Sequence, residues 1–204
     1  MVTDPAAQWA FTVVFGALAL YSLYRIVADR TRPLQAVGQG FHVVMAADMI
    51  AMPWAWWAAI PAGLQIVVFS AGAAWFLVLL VLQVRRVISR RMLGGHGPWH
   101  QVAHAVMMIA MVWMVAAMAP MVGTSQSDPM PTSGHSHAAL SGTSAAIGIA
   151  ATAALLIIAV VLVVEFIDCV RGPARTWRGH TGDVASGAVM SFGMAAMCWL
   201  MLAA

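Results

Sequence analysis

The chain has 204 residues, of which 62% are apolar and only 8% charged, and its mean hydropathy is +0.87. That composition excludes an ordinary soluble domain and leaves too little polar sequence for a second, water-soluble unit. The formal net charge of +3 and the pI near 9.5 come from Arg alone, since the chain contains no Lys. The arginines fall in three clusters between apolar runs, a membrane-flanking pattern rather than a nucleic-acid surface.

Apolar runs of about 20 residues are long enough to cross the hydrocarbon core as helices. The sequence predicts six, at roughly 7–27, 37–57, 62–84, 99–122, 144–168 and 183–203. The opening "MVTDPAAQWA" has an Asp and no basic residue, unlike a secretory signal, so the first helix is read as retained. Arg25, Arg30 and Arg32 follow it. Arg85, Arg86, Arg90 and Arg91 follow the third run, and Arg171, Arg175 and Arg178 follow the fifth. Every basic residue therefore lies at one face of a six-span layout, which the positive-inside rule makes cytoplasmic, with both termini extracytoplasmic. Cys169 and Cys198 fall at opposite faces, too far apart for a disulfide.

These runs group into three helical hairpins at approximately 1–60, 61–123 and 144–204, in a single integral-membrane domain spanning 1–204. The segment 124–143, rich in Ser, Gly, Pro and Thr, reads as an extracytoplasmic loop. Each hairpin turns through an Arg-, Pro- and Gly-containing segment and returns on a helix carrying Met-x-Ala-Met-x-Trp: "MIAMPW" at 49–54, "MIAMVW" at 108–113 and "MAAMCW" at 194–199. Matching position and direction point to a degenerate threefold repeat. The Trp of each motif, with Trp56 and Trp57, suits the outer interfacial belt.

The rising helices also share a stripe. On the fourth, His100, His104, Met107, Met111, Met114, Met118 and Met121 follow one another in alternating steps of four and three, one continuous heptad seam. His42, Met45, Met49 and Met52 form the counterpart on the second helix, with Asp48 beside it. Asp183, Gly187, Met190, Met194, Met197 and Met201 form it on the sixth. The first, third and fifth helices contain no Met; the fifth instead offers the small face Ser144, Gly148, Thr152 for close packing.

Two readings of the stripes compete. Met fills irregular gaps at helix seams, which requires no ligand. Thioether and imidazole are also the ligands that select Cu(I). The Met-x-x-x-Met spacing is similar to the filter of copper-uptake channels, in which three helices each supply such a pair; that likeness is one of spacing only. A carboxylate within a span is costly and should face a partner or a cavity. Superposing the repeats places His104 about one turn below the position opposite Asp48 and predicts an Asp48–His104 contact. The candidate metal ligands are His42, Met45, Asp48, Met49, Met52, His100, His104, Met107, Met111, Met190, Met194 and Met197. His135 and His137 in the outer loop would capture the ion. His96 and His180, in the inner turns, fit either an exit from such a path or no role in it. Paired His on neighbouring helices can also hold a b-type haem, and His42 with His104 is the pair available.

No phosphate-binding loop and no nucleophile–base arrangement is present, so no catalytic residues are assigned and an enzyme is not expected. Glu165 and Asp168 lie beside Arg171, as an interfacial ion pair would. "FHVVMAADMIAMPW", "HAVMMIAMVWM" and the Arg-bounded layout resemble a family of small actinobacterial integral-membrane proteins of unknown function, over most of the chain. The resemblance implies a mycobacterial-type plasma membrane and transfers no site residues. The expectation is an all-α membrane protein, a six-transmembrane-helix bundle binding or conducting a soft metal ion, copper foremost. The alternative is a non-catalytic scaffold or accessory subunit, with a haem protein third. The partners expected are the lipid bilayer and either another membrane protein or further copies of the chain, and no nucleic acid.

Overall fold

The computed structural model describes residues 4–28, 32–93, 95–123, 142–171 and 179–203. His135, His137 and most of the expected outer loop lie outside them. The described residues form six α-helices and two short 3₁₀ turns, with no strand among them. The helices are α1 (Pro5–Ala28), α2 (Pro33–Ala51), α3 (Ala62–Val84), α4 (Pro98–Gly123), α5 (Gly142–Arg171) and α6 (His180–Ala203).

The helix starts follow local chemistry. Pro begins α1, α2 and α4, where its missing N–H is no loss. Asp4 Oδ1 accepts the Ala6 N–H at 3.0 Å and caps α1. The second helix differs from its predicted bounds of 37–57: it starts at Pro33 and gives way before Pro53, and Ala55–Ala59 form a 3₁₀ turn. An apolar run continues through a proline, whereas a helix does not.

Among the described residues, five helices are long and apolar enough to cross a membrane: α1, α3, α4, α5 and α6. The sixth expected span, α2, falls short because Gln35, Gln39, His42 and Asp48 lower its hydropathy. All four are buried, whereas Val37 and Val44 on the same helix are exposed. Its polarity thus points into the bundle and its apolar side points out.

The most extensive contacts pair α1 with α2, α3 with α4 and α5 with α6, and smaller ones join α2 to α3, α4 to α5 and α1 to α6. The three hairpins thus touch in a closed circuit. Gly148 marks one seam: a Cβ there would stand 2.5 Å from the Trp113 ring of α4, so only glycine permits this approach. Thr152 donates back to the Gly148 carbonyl at 2.8 Å, keeping its hydroxyl satisfied on the same small face.

The core is rich in sulfur. Met45 and Met49 of α2 with Met52 just after it, Met107, Met108, Met111 and Met114 of α4, and Met190, Met194 and Met197 of α6 are all buried in one hydrophobic cluster. Both methionines of each repeated motif are therefore interior. The motif tryptophans diverge: Trp54 donates to Thr12 Oγ1 at 3.1 Å, Trp113 covers Gly148, and Trp199 is exposed. Trp57 is also not a belt residue, being fully enclosed. Cys169 and Cys198 are both free thiols.

A three-histidine cluster beside a buried carboxylate hub

Gly95, at φ +98°, makes the turn that leads into α4, and only glycine adopts that conformation without strain. The turn brings His96 to the mouth of the bundle, and Gln83 Nε2 fixes it there by donating to the His96 carbonyl at 2.7 Å. His100 follows in the first turn of α4, and His180 opens α6. One ring nitrogen from each of His96, His100 and His180 lies within 4.8 Å of the other two. The ring centroids are 4.7 Å apart for His96 and His100, 5.1 Å for His96 and His180, and 5.4 Å for His100 and His180.

Two carboxylates anchor two of these rings. His180 Nε2 meets Glu165 Oε1 at 2.9 Å, and His96 Nε2 meets Asp183 Oδ2 at 3.3 Å. Glu165 Oε2 stands 3.5 Å from His100 Nε2. The nitrogens left without a hydrogen bond are His96 Nδ1, His100 Nε2 and His180 Nδ1. In His96 and His180 one nitrogen meets a carboxylate while the other is free, the arrangement of metal-ligating histidines in which the outer partner fixes tautomer and orientation, whereas the free nitrogen of His100 is the one that faces Glu165. Tetrahedral coordination with bonds of about 2.0 Å needs donors about 3.3 Å apart, so the cluster is within a small side-chain adjustment of that geometry.

Asp183, in the first turn of α6, is the hub of a larger network. Arg25 grips it twice, Nε to Oδ1 at 3.1 Å and Nη2 to Oδ2 at 3.0 Å. Tyr21 donates to Oδ1 at 3.0 Å, and Gln35 and Gln39 approach at 3.4 Å each. Arg25 is buried, so this arginine does not belong to the headgroup-facing rim expected from the sequence. Glu165, expected with Asp168 to form an interfacial ion pair beside Arg171, engages His180 and stands near His100.

A cavity of about 30 Å³ lies next to the cluster; Gln35, Gln39, His42, His96, Gln101 and His104 line one part of it, and Leu34, Phe76, Leu79 and Leu93 line the rest. It has room for one or two waters and none for an organic ligand. His42 Nε2 and His104 Nδ1 share a hydrogen bond at 3.2 Å across it. Two axial metal–nitrogen bonds of about 2 Å would hold such nitrogens about 4 Å apart, so this pair is set for a proton rather than an iron between the rings.

The expected Asp48–His104 contact is not formed. Asp48 Oδ1 instead accepts the Trp57 indole N–H at 3.2 Å, and His104 is taken by His42. Superposing the repeats aligned the helices along their length but not the rotation of α2, which directs Asp48 toward α3. Of the sequence-predicted residues, His100 joins the three-histidine cluster, and His42 and His104 form the pair beside it. Met45, Met49, Met52, Met107, Met111, Met190, Met194 and Met197 lie in the core behind. His96, His180 and Glu165 complete the cluster but were not among the named ligands. The signal that could have found them was three histidines and an acid at the same inner face, on segments adjoining different helices.

The chain is similar to the uncharacterized protein Rv0970 of Mycobacterium tuberculosis and the uncharacterized protein Mb0995 of Mycobacterium bovis, each 34% identical over 120 residues, which is 59% of this chain and 53% of the relative. The match thus spans about half the length of those relatives. No solved structure matches the chain. The profile of a domain of unknown function, DUF5134, matches residues 34–201. That range holds the histidine cluster, the carboxylate hub and all three repeated motifs, and the chain belongs to the DUF5134 family.

Proposed function

We propose that this protein binds a transition-metal ion within the membrane, copper foremost, and passes it between the imidazole cluster and the sulfur-rich core. The observation that carries the reading is the convergence of one nitrogen each from His96, His100 and His180, with Asp183 bound to the His96 ring and Glu165 to the His180 ring. Imidazole suits copper and zinc alike, and the thioethers of α2, α4 and α6 tip the choice toward Cu(I). With the Arg-rich turns facing the cytoplasm of a plasma membrane, the cluster would sit at the cytoplasmic end and both termini outside.

The full chain, purified and offered Cu(I) under reduction or Zn(II), should retain about one ion per chain. His100→Ala with His180→Ala should abolish that retention, because a single remaining imidazole makes a weak site. Wild-type protein that stays metal-free after both incubations would defeat the reading. The alternative, a non-catalytic scaffold with Met as filler, draws on close sulfur packing. Met107 Sδ accepts the Ser191 hydroxyl at 3.3 Å, and Met108 fills the space that a Cβ at Gly72 would need.

A further inference from the structure

His42 of α2 and His104 of α4 meet beside the three-histidine cluster, Nε2 to Nδ1 at 3.2 Å. Their ring centroids are 4.5 Å apart and their planes 65° apart. A straight N–H···N bridge of that length would hold the centroids farther apart, so the bridge is bent, and bent hydrogen bonds are weak. The separation suits another use. Nitrogens opposed across a metal stand about 4 Å apart, but adjacent ligands with bonds of about 2.0 Å in a tetrahedral shell stand about 3.3 Å apart. The cavity of about 30 Å³ borders both rings and also His96 of the cluster, and it has room for one ion. One turn farther along the same face of α2 is the fully buried Met45.

We propose that His42 and His104 form a second metal site, selective for a soft univalent ion, with Met45 as third ligand. Both imidazoles bind as neutral rings: the proton they share moves to the far nitrogen of its own ring, so none is released. The charge on the ion decides what the site accepts. No acid stands among the described residues lining the cavity. The cost of burying an unbalanced charge rises with the square of that charge, so a univalent ion is held and a divalent one refused. Imidazole and thioether together select Cu(I), and Ag(I) has the same charge and softness. The cluster differs, because Asp183 and Glu165 meet its rings and balance a divalent ion. On α4, Met107 is the poorer third ligand, since its Sδ already accepts the Ser191 hydroxyl. The place of this site on a path from cluster to sulfur core rests on the metal reading above; its occupancy does not.

The test uses the full chain with His100→Ala and His180→Ala, which removes the cluster, in phosphatidylcholine nanodiscs. Titrated with Cu(I) against a chromophoric chelator, or dialysed against Ag(I), it should take up about one ion per chain, and it should take up no Zn(II). The site is weaker than the cluster and empties during purification, so it is read at equilibrium. His42→Gln keeps a hydrogen-bonding partner for His104 and should weaken Cu(I) at least about tenfold, since losing even the outer partner of a ligand costs that much. Met45→Leu preserves volume and should weaken Cu(I) several-fold and remove sulfur from the copper X-ray absorption shell. If the cluster variant does not fold, the wild type serves, taking up a second Cu(I) that His42→Gln removes. Uptake indifferent to both His42→Gln and Met45→Leu, or equal uptake of Zn(II), would overturn the proposal. Wild-type protein holding one ion that needs His100 and His180 but not His42 would overturn it and leave the cluster reading standing; an ion that needs His42 but not the cluster would do the reverse.

Discussion

Asp183 gathers five side chains: its two oxygens take hydrogen bonds from Arg25, Tyr21, Gln35 and Gln39 and face His96. A buried arginine is tolerable only while its countercharge remains. Asp183→Asn should therefore destabilise the fold by about 3–5 kcal/mol, read as a fall in unfolding midpoint in detergent. Replacing Arg25 and Asp183 together by Leu should recover only part of that, because Tyr21, Gln35, Gln39 and His96 would still lose their acceptor. At this scale the sequence was least legible. His42, His100 and His104 stand on helical stripes, where period predicts direction. His96 precedes α4 across a Gly-Pro break, and His180 lies 80 positions from His100, so no spacing rule links them. Rotation defeated the Asp48 reading for a related reason: a repeat fixes level along a helix but not which neighbour a side chain faces.

Among the elements, the hairpins were readable because apolar length and Arg clusters each carry a strong physical signal. Boundaries shifted by a few residues, most at α2, where Pro33 and Pro53 set the ends. The small face of α5 was also legible, and its partner, Trp113 of α4, was not, since packing partners depend on how hairpins meet. Gly148→Ala places a methyl group against that ring and should cost about 1–3 kcal/mol in thermal or denaturant unfolding. Gly16, with nothing near its Cβ position, is the matched control and should tolerate Ala far better.

For the whole molecule, the three rising helices turn their sulfurs into one core, which the stripes foretold. Burial alone fits filler and ligand equally well, and the two part company under substitution. Met111→Leu with Met194→Leu preserves volume, so stability should change by less than about 1.5 kcal/mol per site. If the core conducts copper, the same variant should still load the histidine cluster but lose Cu(I) flux into proteoliposomes. Unchanged flux would make the thioethers structural.

The Arg25–Asp183 clamp joins residues 158 positions apart, the first helix to the last. At translation rates of roughly 5–20 residues per second, the guanidinium enters the bilayer on the order of ten seconds before its carboxylate is made. During that interval it must shelter among headgroups, on an insertion factor, or in water that α1 drags with it. Biogenesis of this chain thus includes a waiting period built into its own wiring. A ribosome stalled ahead of α6 should leave a nascent chain that is inserted yet unlocked, and open to quality-control proteolysis.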